Sequence, residues 1–228
     1  MTSTGTIAFI PARSGSISIP RKNLVLLDGK PLIQYSIDAA KEARVFDRII
    51  VSTNDGGVKE VAACAGLEIH DRPESFATAS SRVVEAVEHA STVMQLSQEH
   101  SVCVLQPTSP LRTSRNVIDA IEVHRRHHQR SVVSVVEAKH HPFKTVTIES
   151  GKIQSLFGRE NLEASRQTLQ QAFRVSGAIY ISRLESILRH HSLVPEGAIA
   201  FVMNSENSVD VDSYEDLAFA EFLLSRRS

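Results

Sequence analysis

The sequence contains no tryptophan, only two cysteines and few aromatic residues among its 228 positions. The cysteines, Cys64 and Cys103, stand far apart in apolar surroundings, so they lack the short spacing that holds a structural metal ion. We therefore expect both to pack as small hydrophobic residues in a protein of a reducing compartment.

An excess of charge of one sign is also missing. The chain has 25 basic and 26 acidic residues, a formal net charge of −1. Nucleic-acid and membrane-surface binders need a basic surplus, so neither partner is expected. The sequence has no apolar run of about 18 residues that would predict a membrane helix. Residues 1–5 lack the basic start and apolar core of a signal peptide, so we expect a cytoplasmic protein.

Strand-like and helix-like stretches alternate along the first 136 residues. Apolar runs rich in β-branched residues predict strands at 6–10, 47–53, 67–69, 102–105 and 131–136. Apolar residues at three- and four-residue spacing predict helices at 31–44, 58–65, 80–96 and around 117–121. The strand at 102–105 is the most apolar and should lie centrally. This alternation predicts one doubly wound α/β domain with a mostly parallel sheet.

The alternation breaks after Val136. Residues 138–176 contain Pro142, Gly151 and Gly158, a weak strand signal and no long helical pattern. We interpret this segment as an excursion from the sheet, either a subunit contact or a lid. Strands are predicted again at 177–181 and 199–202, and a closing helix at 213–224. Ser213 and Asp216 have the spacing of a capping box at the start of that helix.

The segment between the first strand and the first helix, residues 12–24, collects small and basic side chains. It contains Gly15, three serines, and the cations Arg13, Arg21 and Lys22. Small residues let backbone N–H groups approach an anion, and cations neutralise its charge. From the loop alone two interpretations stay open, a polyphosphate cradle and a surface turn with solvated cations. The loop matches neither the P-loop nor the G-x-G-x-x-G pattern.

Three polar segments, 13–23, 106–112 and 210–212, are predicted at the carboxyl edge of the sheet, where α/β proteins bind ligands. Asp210 and Asp212 lie two apart in an extended stretch, so their carboxylates point to the same side. Two carboxylate ligands suit Mg²⁺, because they leave its other coordination positions open for water and phosphate oxygens. The alternative is that Asp212 only supports a helix dipole while Asp210 is solvated.

The ten histidines do not indicate a metal site. His124, His127 and His128 share a polar helical stretch that we interpret as a solvated face. His190 and His191 adjoin a predicted helix end, where an imidazole complements the dipole, and the His140–His141 pair could line the excursion. The cations Lys144, Arg166 and Arg174 are either structural or partners for a substrate carboxylate.

Seven segments in order, from Ile7 to about Leu224, resemble the acylneuraminate cytidylyltransferase family, the CMP-sialic acid synthetases. They read A-R-S-G-S…I-P-x-K-N-L, G-K-P-L-I-x-Y-S-I, F-D-R-I-I-V-S-T, L-Q-P-T-S-P-L-R-T, H-H-P-F-K-T, Q-A-F-R-x-S-G-A-I-Y-I and S-V-D-V-D. The resemblance implies a Rossmann-like doubly wound α/β fold in a single nucleotidyltransferase domain, residues 1–228. It also implies that the β-rich excursion 138–176 serves dimerisation and sugar binding, which makes the protein a homodimer.

The reaction implied by the resemblance joins CTP to a nonulosonic acid with Mg²⁺, giving a CMP-sugar and pyrophosphate. The positions matched to the nucleotide and its phosphates are Arg13, Ser16, Lys22 and Asn23, with Gly15 added by loop composition. Arg72 and Ser81 match contacts to cytosine or ribose. The sugar side comprises Gln106, Lys144, Arg166, Arg174 and Tyr180. Asp210 and Asp212 match the metal ligands, and together with Arg13 and Lys22 they form the expected catalytic set.

The chain departs from the family pattern in its phosphate loop. The usual G-S-K-G is replaced by Gly15-Ser16-Ile17-Ser18, which lacks the lysine, and we expect Arg21 to supply a phosphate contact instead. The segment 76–81 is about two residues shorter than in the family, Val175-Ser176 stands where Pro-Asn is common, and paired aromatics are missing near 190–193. The alternatives are activation of legionaminate, pseudaminate or 3-deoxy-manno-octulosonate, and a catalytically weak nucleotide-binding homologue.

Overall fold

The structure is a computed structural model that describes residues 5–227, apart from the side chain of Arg166. The prediction about a signal peptide concerns residues 1–5, of which 1–4 lie outside the described residues. The strands are β1 (Thr6–Pro11), β2 (Leu26–Leu27), β3 (Lys30–Pro31), β4 (Arg48–Thr53), β5 (Glu68–Asp71), β6 (Ser101–Val104), β7 (Val132–Glu137), β8 (Val146–Glu149), β9 (Lys152–Ser155), β10 (Phe173–Arg183) and β11 (Ile199–Val202). The helices are α1 (Leu32–Ala43), α2 (Gly56–Cys64), α3 (Val83–Val93), α4 (Ser114–Arg126), α5 (Arg159–Glu163), α6 (Leu184–His190) and α7 (Tyr214–Ser225).

Seven strands form the main sheet in the order β11-β7-β10-β6-β1-β4-β5. All neighbouring pairs are parallel except those of β10, which runs antiparallel to both β6 and β7. This arrangement confirms the predicted mostly parallel α/β sheet, and β6 lies at its centre as expected. From β1 the chain builds outward through β4 and β5 and then returns to the other side of β1 as β6. The carboxyl ends of β1 and β6 therefore flank the topological switch point.

Helices cover both faces of this sheet. On one face α1, α2 and α4 contribute Ile33, Ile37, Val58, Val117 and Ile121 to the largest apolar cluster. On the other face α3 and α6 pack Val84, Val87, Leu184 and Ile187 against β1 and β6. Burial of these stripes at helical spacing stabilises the layers, since it removes apolar surface from water. None of the helices in residues 5–227 is both long and apolar enough to cross a membrane.

The excursion contains a hairpin of β8 and β9 that is separate from the main sheet. The excursion was predicted to end at residue 176 and the next strand to begin at 177. In the structure that strand, β10, already begins at Phe173. Residues 173–175 pair with Glu137, Val136 and Val135 of β7, and a register shift follows before Tyr180. The sequence pattern concealed this strand start because Gly177 interrupts the apolar run inside the strand.

Two side chains differ from their predicted environments. His124 is buried rather than solvated, because its Nε2 contacts Ser101 Oγ at 2.8 Å and its Nδ1 contacts the carbonyl oxygen of Arg130 at 2.7 Å. Cys64 is exposed at the end of α2, whereas Cys103 is buried in β6. Residue spacing along the sequence did not show which side chains near the ends of α2 and α4 face the core and which face the solvent.

One helix differs from its predicted bounds and another matches its predicted start. The helix predicted at 80–96 is shorter, because α3 begins at Val83 and ends at Val93. The closing helix α7 is capped as predicted, since Ser213 Oγ accepts from Asp216 N and the Asp216 carboxylate accepts from Ser213 N.

Candidate active site

A cleft of about 420 Å³ opens at the carboxyl ends of β1 and β6, the switch point of the sheet. It is bounded by the loop after β1, the segment after β5, the turn after β6 and the stretch before α7. The predicted site residues in its wall are Arg13, Ser16, Lys22, Asn23, Arg72, Ser81, Gln106, Asp210 and Asp212. Segments distant in the sequence thus converge on one cavity.

Side-chain hydrogen bonds hold the loop after β1 in place. The Asn23 amide donates to the carbonyl oxygen of Arg13 at 3.0 Å, and the Ser14 N–H donates to Asn54 Oδ1 at 2.9 Å. The Arg13 guanidinium donates to the carbonyl oxygens of Thr78 and Ala79 across the cleft. Arg13 therefore links the loop to the segment that precedes α3.

Lys22 and the two aspartates form the charged centre of the cleft. Lys22 Nζ donates to Asp212 Oδ1 at 2.7 Å, and the Asp212 side chain is 70% exposed. Asp210 is more deeply placed, and its Oδ1 is buried with no hydrogen-bond partner. Burial raises the pKa of Asp210, and nearby Asp212 adds to the rise, whereas a hydrogen bond from Thr108 and the charge of Lys22 oppose it.

These carboxylates fit a bound Mg²⁺. A buried carboxylate oxygen without a donor needs a cation or a proton, and Asp212 offers a second oxygen in the same cleft. Within residues 5–227 no cluster of three or more His, Cys, Asp or Glu side chains is arranged to hold a metal. Two protein ligands leave positions for water and phosphate oxygens, as Mg²⁺ prefers.

Arg72 brings a buried cation to the same wall. Its Nε donates to the carbonyl oxygen of Phe76 at 2.6 Å, and its Nη2 has no partner. Burial lowers the pKa of Arg72, and the nearby charge of Arg13 lowers it further. Ser81 Oγ accepts from the Thr78 N–H at 3.0 Å. This wall thus offers an unpaired N–H to an acceptor on a ligand.

The predicted sugar-side residues are only partly brought together. Arg174 lines a second cavity of about 550 Å³ that shares Asp210 and Asp212 with the cleft. Tyr180 lies in β10, and burial together with the charge of Asp210 raises its pKa. Lys144 lies in the excursion, where its Nζ donates to the carbonyl oxygens of Leu162 and Ala164.

Arg21 and Gly15 lie outside the wall of the cleft. The Arg166 side chain lies outside the described residues. Arg21 has φ 51° and places its guanidinium 3.6 Å from Asp55, the residue that caps α2. Gly15 lies beside the Ala77 carbonyl oxygen, and a Cβ there would be 3.4 Å from it. Ile17, by contrast, does line the cleft and is 84% exposed.

Sequence reasoning missed two residues that shape the site. Thr108 bonds the Asp210 side chain, and its carbonyl oxygen accepts from the Val211 N–H at 2.7 Å. Arg112 is buried behind Gln106 and donates to the Gln106 carbonyl oxygen at 3.2 Å. Both belong to the L-Q-P-T-S-P-L-R-T segment, so the motif was the available signal.

A doubly wound sheet with a cationic loop and paired carboxylates at its switch point defines an α/β protein of the nucleotidyltransferase type. Comparison with known proteins identifies the family. The sequence profile described as "Cytidylyltransferase" matches residues 7–208, so the chain belongs to the cytidylyltransferase family. This match, with the relatives below, confirms the resemblance predicted from the sequence motifs.

Several named relatives match most of the chain. The N-acylneuraminate cytidylyltransferase of Streptococcus agalactiae serotype V is 35% identical over 92% of this chain and 51% of its own length. CMP-N,N'-diacetyllegionaminic acid synthase of Legionella pneumophila is 33% identical over 96% of this chain and 95% of its own length. Pseudaminic acid cytidylyltransferase of Campylobacter jejuni is 28% identical over 95% of both chains. The chain thus spans about half the length of the N-acylneuraminate relatives it matches.

Solved structures support the fold. CMP:2-keto-3-deoxy-manno-octonic acid synthetase, in a complex with CTP, superposes with a TM-score of 0.70 and 19% identity, over 98% of this chain and all of that chain. 4-Diphosphocytidyl-2C-methyl-D-erythritol synthase gives 0.68 and 13% identity, over 97% of this chain and all of that chain. At such low identity these similarities concern the α/β architecture alone.

Proposed function

We propose that the chain transfers CMP from CTP to an acylneuraminate-type nonulosonic acid and releases pyrophosphate. The observation that carries this proposal is the convergence of Arg13, Lys22 and Arg72 with Asp210 and Asp212 in one cleft. Arg13 and Lys22 suit a triphosphate, Arg72 suits an acceptor atom on the nucleoside, and two carboxylates suit the metal ion. Membership in the cytidylyltransferase family and the named relatives support the choice of nucleotide and acceptor.

In the proposed reaction a hydroxyl of the sugar gives up its proton to water, and its oxygen forms a bond to the α-phosphorus of CTP. The bond from that phosphorus to the bridging oxygen breaks, and pyrophosphate leaves with the electron pair. Arg13 and Lys22 would offset the charge of the triphosphate, and Arg72 and Ser81 would contact the nucleoside. Positioning and charge compensation are the main contributions that a protein makes to such a transfer.

Asp210 and Asp212 would hold Mg²⁺ in this enzyme. The metal would supply charge neutralisation on the triphosphate. Lys22, which bonds Asp212 at 2.7 Å, would keep the exposed carboxylate aligned for that purpose. Gln106 in the cleft and Arg174 in the adjoining cavity would contact the acceptor, with the Arg174 guanidinium suited to a sugar carboxylate.

The test is pyrophosphate release with each of the four nucleoside triphosphates, Mg²⁺ and a panel of acceptors. The panel comprises N-acetylneuraminic, N,N'-diacetyllegionaminic, pseudaminic and 3-deoxy-manno-octulosonic acids. We expect release with CTP and at least one nonulosonic acid, together with a CMP-sugar detected by mass spectrometry. A lack of product with every acceptor would contradict the proposal.

Two alternatives have observations in their favour. The legionaminic and pseudaminic relatives match this chain over nearly their whole length, so either acid is an equally suitable acceptor. Exposed Ile17 in the cleft, at the position where the family pattern has lysine, favours a weakly catalytic nucleotide binder. Calorimetric titration with CTP, combined with the pyrophosphate assay, separates these cases, since the weakly catalytic homologue predicts CTP binding without turnover of any acceptor.

We further propose that the chain acts as a homodimer and works in the cytoplasm, the compartment that holds CTP. The hairpin of β8 and β9 supports the first point. Ile148 and Ile153 are direct cross-strand partners on it, 73% and 68% exposed. A two-stranded hairpin with an apolar face is marginally stable in water, so a second copy is a suitable cover for it.

A further inference from the structure

Arg112 is a buried cation whose acceptors are all uncharged. It lies in the turn after β6 and is 3% exposed. Its Nη1 donates to the carbonyl oxygens of Ala178 at 2.9 Å and Gln106 at 3.2 Å, and its Nη2 donates to Ser36 Oγ at 2.6 Å. Among residues 5–227 no carboxylate forms an ion pair with it, and burial lowers its pKa to about 10.

A packing role alone does not explain this residue. Burying a charge without a counter-ion is costly, and apolar side chains of similar volume often replace buried ionic groups with little loss of stability. What an apolar side chain cannot supply is a rigid, planar set of donors that bonds several acceptors at fixed angles. An arginine at this position therefore indicates that those acceptors must be held in a fixed arrangement.

The three acceptors of Arg112 lie around Gln106 and comprise its own carbonyl oxygen, Ser36 Oγ and the Ala178 carbonyl oxygen. The Gln106 carbonyl oxygen accepts from Arg112, and also from Ser36 Oγ at 3.3 Å. The Gln106 side chain lies against Gly177, where a Cβ would be 3.0 Å from its Oε1 and φ is +82°. Gly177 directly precedes Ala178, the other carbonyl that Arg112 binds. One guanidinium thus connects the main chain of Gln106 to the strand that its side chain contacts.

We propose that Arg112 is a positioning residue for the acceptor side of the cleft, which holds Gln106 and the Gly177 segment of β10 at a fixed separation. The proposal rests on the proposed function, in which Gln106 contacts the sugar acid. The nucleotide side is built from other segments, the loop after β1 and the segment after β5. A change at Arg112 should therefore affect the acceptor and spare CTP.

The test uses steady-state kinetics of Arg112→Lys and Ser36→Ala, with the acceptor and CTP varied in turn. Lysine keeps the charge, but its single ammonium nitrogen cannot reproduce the planar fork in which two guanidinium nitrogens bond these three acceptors, so the KM for the acceptor sugar should rise roughly tenfold or more. Ser36→Ala removes the hydroxyl that accepts a hydrogen bond from Arg112 and keeps a side chain of similar size. It should raise the KM for the acceptor sugar by about threefold. The KM for CTP should stay within about twofold of the wild type in both variants.

Arg183→Lys is the control, because Arg183 lies in β10, the strand that contains Ala178, but pairs with Ser101 at the end of the sheet opposite the cleft. Its kinetic constants should not change. Should Arg112→Lys fail to fold, Ser36→Ala decides the matter alone. An active wild type whose variants keep both KM values, or raise both equally, would overturn the positioning role. A wild type that forms no CMP-sugar would instead overturn the proposed function, and this inference with it.

Discussion

Asp210 and Asp212 share one cleft but differ in environment. Asp210 is half-buried with an unpartnered oxygen and a raised pKa, whereas Asp212 is exposed and bonds Lys22. Either change, Asp210→Asn or Asp212→Asn, should lower kcat about 10²–10³-fold, because charge compensation at the triphosphate is lost. Unfolding temperatures should stay near the wild type, since an ionised Asp210 with a raised pKa contributes no stability and the exposed Asp212–Lys22 pair contributes little.

Asp71→Asn is the matched control for Asp212→Asn. Asp71 pairs with Lys59 at 2.7 Å, the same distance as the Lys22–Asp212 pair, and is similarly exposed outside the cleft. The Mg²⁺ concentration that gives half-maximal turnover should be higher than in the wild type for the two cleft variants and unchanged for Asp71→Asn. Wild-type turnover at low Mg²⁺ in both cleft variants would contradict the metal assignment.

Ile17 and Ser18 occupy the cleft where the family pattern has Lys-Gly. An aliphatic side chain cannot donate to a phosphate, so one charge-assisted hydrogen bond of roughly 1.5–3 kcal/mol is missing. The double variant Ile17→Lys with Ser18→Gly should therefore lower the KM for CTP, or raise kcat, by about tenfold. Val93→Lys adds the same charge at an exposed apolar position on α3 and should have no effect. Equal CTP kinetics in all three proteins would show that this loop does not hold the triphosphate.

Arg21 stands near Asp55 and must leave it to reach a phosphate in the cleft. If it does so when CTP binds, Arg21→Ala should raise the KM for CTP several-fold, more than loss of a solvated arginine would. Arg44→Ala is the matched control, since Arg44 is also exposed and has φ 52° against 51° at Arg21. The backbone effect of alanine is thus the same in both variants. Equal KM values for the two would contradict a phosphate contact by Arg21.

At the residue scale, spacing along the sequence predicted which residues lie near the cleft better than it predicted which way their side chains point. Asp210 and Asp212 lie on one side because alternation in an extended segment is a property of the backbone. The direction of Arg21 depends on its left-handed conformation and on Asp55, a residue 34 positions away, which the local sequence does not reveal. Lys144 similarly bonds carbonyl groups of the excursion, whose path was not predictable without its tertiary contacts.

The contact between β5 and α3 contains a pair of histidines, of which His70 is buried. His70 Nε2 contacts His89 Nδ1 at 2.9 Å, and His70 Nδ1 contacts Ser52 Oγ at 2.9 Å. Burial, with smaller effects of His89 and Arg72, lowers the pKa of His70 to about 4, and the charge of Asp71 opposes this only weakly. The unfolded chain, with a histidine pKa near 6.5, therefore binds more protons between these values.

Stability should consequently fall as the pH falls through this window. We expect a loss of about 2 kcal/mol in the free energy of unfolding from about pH 7 to about pH 5 due to His70. His70→Gln removes the titrating group and should flatten the pH dependence of urea unfolding by that amount. His128→Gln, at an exposed position after α4, should leave the curve unchanged. Parallel curves for the wild type and His70→Gln would contradict this account.

At the element scale, the prediction was accurate where burial and periodicity agreed. β11 was predicted at its observed bounds, and α7 begins at the predicted capping box. α3 was predicted too long at its C-terminal end because the apolar residues Met94 and Leu96 follow it, while the helix ends at Val93 and Gln95 turns with φ 52°. The antiparallel direction of β10 was not predicted, since strand direction follows from the path of the excursion rather than from residue pattern.

At the scale of the whole molecule, the order of the strands creates the site. The outward turn through β4 and β5, followed by the return to β6, separates the loops after β1 and β6 and leaves a crevice between them. β10 then enters antiparallel beside β6 and brings Gly177 and Tyr180 to the same edge. The fold class, which the alternation of elements predicts, thus explains the position of the cleft but not which side chains face it.

The hairpin of β8 and β9 provides a test of assembly. Ile148 and Ile153 face each other across it, and within residues 5–227 these strands pair only with one another. The double variant Ile148→Ser with Ile153→Ser removes this apolar pair, so the dissociation constant of the dimer should rise about 10–10²-fold. Light scattering coupled to gel filtration over a dilution series measures this directly.

Val93→Ser with Val194→Ser is the control for the hairpin variant, since both valines are exposed and lie outside the excursion. It should keep the mass and concentration dependence of the wild type. Far-ultraviolet circular dichroism should be the same for all three proteins, because the hairpin does not pair with the main sheet. A wild type that remains monomeric at every concentration would exclude the homodimer. A dimer unaffected by the serine pair would place its interface elsewhere, because an apolar contact that stabilises association cannot lose both isoleucines without weakening.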